Sequence, residues 1–235
     1  MQDLNRLIEA ELLARGAVRV GFGDLRGLPA EVREGLPVGI SVLVTYPPEV
    51  ICGIAELPTQ EYNDWYDLLN ERLDALVTYG AELLRGRGYA AVAQTRERVG
   101  TGEQENCTTL PHKTVATRAG MGWIGKSALL ITEQYGSAVR LSSILTDAPL
   151  QTTEPIDESR CGKWCWACRT DCPAKAIRGK LWNVGVERDE LVDAVACREV
   201  ARARAKQGFG GDGITICGKC IETCPYTRGY TMQRG

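Results

Sequence analysis

Cys161, Cys165, Cys168 and Cys172, followed by Pro173, form one block near the end of this chain, and Cys197, Cys217, Cys220 and Cys224, followed by Pro225, form a second. Both blocks end in C-x2-C-x3-C-P. In that run three thiolates ligate one 4Fe-4S cluster while the cysteine before proline reaches across to the other. The spacing therefore predicts one cluster on Cys161, Cys165, Cys168 and Cys224, and another on Cys172, Cys197, Cys217 and Cys220. Proline after the last ligand lacks an N–H and fixes its own φ, which turns the chain away from the cluster. Zinc also uses paired C-x-x-C, but it rarely needs two four-cysteine sets each ending in Cys-Pro, and His112 is the only histidine. One spacing departs from the commonest form: Cys161-Gly-Lys-Trp-Cys165 has three intervening residues where two are usual.

Two clusters need a frame. The 235 residues suit one medium domain and one small one, and a hydrophobic fraction of 44% is enough for a core. Leu4, Leu7, Ile8 and Leu12 recur at helical spacing up to Gly16. AVRVGF then reads as a strand, VGISVLV over 38–44 as a buried strand, Glu61 to about Leu84 as one long helix, and YAAVAQ as a strand. Residues 95–110 read as a polar loop, and ALLI and AVRLSSIL as a strand pair about the Tyr135-Gly136 turn. Beyond Pro149 the chain becomes cysteine-rich and turn-rich, with one helix inserted around 188–206. The expectation is an α/β domain over 1–150 and a ferredoxin-like domain with two 4Fe-4S clusters over 151–235. The charged amphipathic N-terminus has no apolar signal core, and no apolar run approaches a membrane span, so a reduced, cytoplasmic chain without a membrane partner is expected. The formal net charge is −2, and two 2+ cores against eight thiolates add roughly −4. A broad nucleic-acid footprint is not visible in that balance.

The densest segment outside the cysteines runs from Leu110 to Ile131. Gly120-Met-Gly-Trp-Ile-Gly125-Lys126-Ser127 satisfies the letters of a phosphate loop, and Gly120, Gly122 and Gly125 those of a dinucleotide fingerprint. Either motif needs a strand before it and a helix after it. Here HKTVATRA reads as helix and SALLI as strand, which is the reverse order, so nucleotide binding is not expected.

That segment, A-T-R-A-G-M-G-W-I-G-K over 116–126, is followed by Tyr-Gly-Ser, by L-S-S-I-L-T-D-A-P-L and by the double-cluster motif. Together these resemble epoxyqueuosine reductase and its relatives from about Pro111 to Pro225. The resemblance implies a cobalamin-binding domain of the flavin nitroreductase type, related to reductive dehalogenases, with a ferredoxin domain docked against the corrin. It places the glycine turn along the cofactor, with Arg118, Gly120, Gly122, Trp123, Gly125 and Lys126 as binding residues. It also marks a departure. The family's aspartate three residues before Pro111, its proposed proton donor, is Thr108 here, whose hydroxyl is a poor general acid. The family's tRNA-modifying enzyme continues past its clusters into helical repeats, whereas this chain ends ten residues after Pro225.

These features predict an oxidoreductase. An external low-potential donor such as ferredoxin or flavodoxin feeds two clusters, which reduce cobalamin or, alternatively, a flavin. The substrate is expected to be a small molecule or a corrinoid rather than tRNA, with epoxyqueuosine reduction as a minor reading and a non-enzymatic electron-transfer or activator role as the competing class. His112 is the candidate to fill the missing acid's task near neutral pH, with Cys107 as a second candidate, a reactive thiol in the polar loop. Cys52 is expected to be buried and inert. Tyr62, Tyr66 and Asn70 share a helix face.

Overall fold

The computed structural model describes residues 2–99 and 108–232, and its chain divides into two compact units. Unit 1 comprises 1–44, 69–122 and 140–156; unit 2 comprises 45–68, 123–139 and 157–235. The composition changes once, near Leu150, but the backbone passes between the units five times.

In chain order the helices are α1 (Gln2–Ala14), α2 (Pro48–Cys52), α3 (Gln60–Arg85), α4 (Arg96–Val99), α5 (His112–Arg118), α6 (Ala167–Asp171), α7 (Arg188–Leu191), α8 (Ala194–Phe209), α9 (Lys219–Glu222) and α10 (Pro225–Met232). The strands are β1 (Arg19–Asp24), β2 (Val38–Thr45), β3 (Ala91–Gln94), β4 (Trp123–Ile124), β5 (Leu130–Ile131) and β6 (Val139–Thr146). The architecture is mixed α/β. No helix among the described residues is long and apolar enough to cross a membrane.

Unit 1 is built on a four-stranded sheet of order β1-β2-β6-β3, with β1 antiparallel to β2 and β3 antiparallel to β6. Val38 to Val44 are buried without a break, as a strand covered on both faces requires. The sequence R-V-G-F-G-D alternates small and large, so Gly21 and Gly23 fall on one face of β1. Gly23 pairs with Gly39 of β2, which extends that bare surface by one strand. The segment 115–121 lies against it. A Cβ on Gly23 would stand 2.8 Å from the Ala119 amide nitrogen, and one on Gly39 would stand 2.6 Å from a Val115 methyl. Helix α5 therefore packs at backbone distance on β1, which fixes the start of the glycine-rich segment. Ile8 and Leu12 of α1, Val77 and Leu84 of α3, and Ile144 of β6 are fully buried.

Unit 2 contains the hairpin β4–β5, the five-residue helix α2 and all eight paired cysteines. The expected pairing of ALLI with AVRLSSIL is not formed. Leu130 and Ile131 pair back onto Ile124 and Trp123, while Val139–Thr146 lies between β2 and β3. The cause is local: Ala128 takes a φ of 59° and donates its N–H to the Gly125 carbonyl, closing a turn well before the anticipated one at Tyr135-Gly136. The Tyr135-Gly136 turn exists as a separate small loop, in which the Thr132 and Gly136 amides and carbonyls exchange hydrogen bonds of 2.9 and 3.0 Å. The inserted helix is broken into α7 and α8 at Val192, and Asp193 caps α8 by accepting from the Ala196 amide.

Gly136 is tied to its place twice. Its φ is +56°, and a Cβ would lie 2.2 Å from the Thr227 amide nitrogen. Gly136→Ala is expected to destabilise the protein by about 3 kcal/mol, combining left-handed strain with overpacking. Urea unfolding of the variant against the parent checks this.

Candidate functional site

The cysteines sit on short elements with small caps. Cys168 lies in α6, Cys220 in α9, and Cys172 and Cys224 follow those helices and are buried. Helices α6 and α9 pack together, and the Thr223 hydroxyl donates to the Asp171 carboxylate. Those two residues each immediately precede a Cys-Pro pair. The contact joins the two blocks at equivalent positions, a tie that cysteine spacing does not reveal.

The thiols fall into two groups. Cys168 is surrounded by Cys161, Cys224 and Cys165; burial first, and then those neighbours, push its thiol up to about 12. Cys220 is raised further, by burial and by Cys197, Cys217, Cys168 and Cys172. Cys197, although exposed as a residue, is raised by burial and by Cys172 and Cys217, and Cys224 is raised chiefly by burial. Four thiols facing one another in a low dielectric resist ionisation unless a multivalent cation lies among them. A cavity of about 270 Å³ opens among Cys161, Cys165, Cys168, Cys220 and Cys224, walled by Ile131, Pro225 and Tyr226. That is several times the ~30 Å³ share of one water molecule. Among the described residues, no three His, Cys, Asp or Glu side chains converge tightly enough to hold a single metal ion. The volume and the all-sulfur donor set instead fit a multinuclear group with thiolate ligands.

Lys126 is the residue that the sequence reading misplaced. Its side chain is buried, at 2% exposure, and its ammonium donates to the carbonyls of Gly162, Lys163 and Cys165 at 3.1, 3.1 and 2.8 Å. It also lies 4.5 Å from the centre of the Trp166 ring. These carbonyls belong to the Cys161–Cys165 loop with the unusual three-residue spacing. The ammonium gathers that loop, accommodates the extra residue and brings a positive charge to the wall of the thiol cavity. Lys126 therefore positions the Cys161–Cys165 loop, with its ammonium engaged by three main-chain carbonyls. With β4 before Gly125 and no helix after Ser127, the phosphate-loop arrangement is absent as expected.

The predicted cofactor residues fall in both units. Arg118, Gly120 and Gly122 belong to unit 1, and Trp123, Gly125 and Lys126 to unit 2. Arg118 lies near Asp24 and Gly27, and Gly120 adopts a φ of +62°, where an added Cβ would stand 3.0 Å from the Glu154 carbonyl oxygen. Trp123 is 1% exposed and edge-on to Tyr226 at 4.9 Å, which makes it a core aromatic. Gly125 clears Ile131, whose methyl would be 2.3 Å from an added Cβ, and Cys161 Sγ at 3.5 Å. The glycine turn thus runs beside the first thiol set.

In unit 1, His112 begins α5, is half-buried, and shares a 2.8 Å hydrogen bond through Nδ1 with Ser143 Oγ. Burial, then the Arg140 charge, lowers its pKa to about 4. The imidazole is neutral at pH 7, which corrects the expectation that it serves as an acid near neutrality. Cys107 lies outside the described residues. Cys52, expected to be buried, is exposed at the end of α2, whose apolar contacts are made by Val50 and Ile51. Tyr62 and Asn70 are buried, and Asn70 Oδ1 accepts from Arg140 at 2.8 and 3.1 Å. Arg140, with no assigned role from the sequence, is thereby anchored near His112.

No family model matches the chain. Among curated proteins it is 29% identical over 225 residues to the epoxyqueuosine reductase of Escherichia coli strain K12, covering 88% of this chain and 52% of the relative. The chain therefore spans about half the length of that relative. Among solved structures, an epoxyqueuosine reductase with an epoxyqueuosine-modified tRNA stem loop matches 97% of this chain and 66% of its own, at 20% identity and a TM-score of 0.64. A reductive dehalogenase described for B12-dependent dehalogenation matches 96% of this chain and 32% of its own, at 19% identity and a TM-score of 0.71. The chain shares their fold, and it resembles epoxyqueuosine reductases as the motifs imply. The expectation against tRNA does not carry over to the relatives, one of which is seen with a tRNA stem loop.

Two outcomes are expected from this geometry. Lys126→Met leaves three loop carbonyls without their donor and is expected to lower stability by about 3 kcal/mol in urea unfolding. Lys126→Arg, a planar fork in place of a point donor, is expected to restore only part of the loss. The depressed His112 contributes stability that is full above pH 6.5 and is lost as pH falls from 6.5 toward 4, because the unfolded chain binds the proton first. The loss amounts to about 3 kcal/mol. Unfolding titrations of the parent and of His112→Asn at several pH values are expected to differ in that window.

Proposed function

We propose that the protein is an oxidoreductase in which unit 2 acts as a ferredoxin-like domain holding two 4Fe-4S clusters. The clusters pass electrons to a cobalamin, and an organic substrate is reduced. One observation supports this reading: Cys168 has Cys161, Cys224 and Cys165 about it, and Cys220 has Cys197, Cys217, Cys168 and Cys172, so that each group draws on both cysteine blocks. That is the crossed arrangement of a two-cluster ferredoxin. Cys161, Cys165, Cys168 and Cys224 would hold one cluster, and Cys172, Cys197, Cys217 and Cys220 the other. Lys126 would hold the first ligand loop in shape, and the Thr223–Asp171 bond would lock the two crossing cysteines together.

Cobalamin is preferred to flavin because one protein of this fold is described as acting through B12. When bound, it supplies a cobalt centre able to take up electrons and pass them to carbon–oxygen or carbon–halogen bonds. The chain's own part is to gather thiols, exclude water from them and keep the imidazole of His112 uncharged. A low-potential carrier such as a ferredoxin or flavodoxin would supply the electrons. An enzyme is preferred to a pure electron-transfer protein because the similar proteins are reductases. Epoxyqueuosine in RNA is the substrate nearest to the curated relatives. A small organic molecule or a corrinoid is the second reading, favoured by Thr108 at the position of the family's acid.

Anaerobically purified protein is expected to contain roughly eight irons per chain. Added cobalamin is expected to give a base-off cobalt EPR signal that changes when the clusters are reduced. Full iron with no change in any cobalamin spectrum would remove the corrin from the proposal and leave an electron-transfer role. Incubation with an epoxyqueuosine stem loop then separates the substrate readings: conversion supports the first, and conversion only by Thr108→Asp supports the second.

A further inference from the structure

The first ligand loop carries an exposed patch that the proposed relay does not use. Trp164 is 80% exposed, one residue before Cys165, and Trp166 is 40% exposed, one residue after it. Lys163 lies 5.5 Å from the Trp164 ring centre, and the Arg169 guanidinium 5.2 Å from that of Trp166. Trp166 and Arg169 both close over Gly179, where a Cβ would meet them at 2.7 and 3.1 Å. Arg169, Lys175 and Arg178 then line a surface depression of about 420 Å³. All of these residues belong to unit 2.

Its cations are not held in salt bridges. Lys175 Nζ donates to the Thr170 carbonyl and Arg178 Nε to the Asp189 carbonyl, which orients both cations without neutralising them. Neighbouring acids are engaged elsewhere: Asp189 pairs with Arg188, Glu190 with Lys180, and Asp171 accepts from Thr223. Among the described residues, Lys163, Arg169, Lys175 and Arg178 take part in no salt bridge, on a chain whose formal net charge is −2. Exposed tryptophan also costs hydration free energy, and apolar rings ringed by cations mark a surface that is covered by a partner for part of the time.

We propose that this patch is the docking face for an acidic one-electron carrier protein, the electron donor of the proposed relay, and the inference rests on that relay. Position favours it: Trp164, Trp166 and Arg169 are sequence neighbours of Cys165 and Cys168, so a carrier seated there places its redox centre beside the first thiol set. Size favours it as well. Electron-transfer encounters are weak and bury less than about 1,200 Å², and four cations bordered by Asp171, Asp189 and Glu190 match a small complementary face. A phosphate backbone typically takes roughly six to ten contacts along a track. Opposite charge steers the encounter and sets its rate more than its affinity. In each encounter one electron leaves the carrier and enters the first cluster, with no bond made or broken.

The test uses full-length, iron-loaded protein and Lys163→Glu/Arg169→Glu/Arg178→Glu, with reduced acidic flavodoxin as the probe and dithionite as a small reductant. Stopped-flow traces at low salt are expected to show flavodoxin-driven reduction slowed at least roughly tenfold in the variant, with dithionite reduction unchanged. The parent's rate is expected to fall steeply with ionic strength and the variant's hardly at all. Trp164→Ala is expected to slow flavodoxin alone. Equal flavodoxin rates in parent and variant, or no reduction of the parent by flavodoxin, would overturn the docking face while dithionite-reducible clusters leave the relay standing. Loss of stem-loop RNA binding in the variant at an unchanged flavodoxin rate would reassign the patch to nucleic acid. Absence of any iron–sulfur signal would overturn both the relay and the docking face.

Discussion

Unit 2 depends on a single constraint: eight sulfur atoms must be brought together from two stretches of chain, and neither group of four is complete until both stretches have folded. Cys168 meets Cys224 from the other block, and Cys220 meets Cys172. Each crossing cysteine is buried and precedes a proline, so the chain leaves the group at once and does not fill it. The Thr223–Asp171 hydrogen bond lies between the crossing points and couples them. Without a cation among them the thiols are driven toward the protonated form by their own burial. The unit's stability is therefore linked to whatever positive charge occupies its interior. The buried Lys126 ammonium belongs to the same electrostatic balance: it adds one positive charge to the wall while its three N–H donors hold the loop that would otherwise be one residue too long.

The constraint in unit 1 is steric. Gly21, Gly23 and Gly39 clear a strip on β1 and β2 on which the backbone of 115–121 rests. Arg19 fixes the end of that strip by donating to the Met121 and Gly120 carbonyls at 3.0 and 3.3 Å. The first half of the glycine-rich segment is thus moulded to a sheet in unit 1, and its second half, from Trp123, belongs to a hairpin in unit 2 that borders sulfur.

Much of this was legible in the residues. Periodicity located α1, β2 and α3 to within a residue or two, because each buries an uninterrupted stripe whose spacing is set by local geometry. The pairing of β4 with β5 was not legible, since it turns on Ala128 adopting a left-handed conformation that alanine does not advertise. Cysteine spacing suggested how to group the thiols, because C-x2-C-x3-C-P is a local shape. The role of Lys126 was hidden because its three acceptors are main-chain carbonyls 36 to 39 residues away, and carbonyls have no letter in the sequence. Only the unusual Cys161–Cys165 spacing hinted that something extra was needed there. The basic and aromatic patch was spelled out in the letters, but its continuity was not. Gly179 brings Trp166 and Arg169 together, and the loop after Cys172 returns Lys175 and Arg178 to the same depression.

The distribution of charge separates the two halves of a reduction. In the proposed reaction the electrons would enter through unit 2, where the Lys126 ammonium and a cationic surface attract negative charge. Unit 1 holds His112 and Thr108. Its imidazole is neutral, held below its ordinary range by burial and by Arg140, and Thr108 offers a hydroxyl that ionises far from neutrality. A neutral His112 hydrogen-bonded to Ser143 can relay a proton between its two ring nitrogens, but it cannot store one at pH 7. On the proposed reading the electron-handling side rests on buried, mutually dependent groups, whereas His112 is neutral at pH 7 and the proton would come from another donor, which makes the position of Thr108 the place where substrate choice is tested.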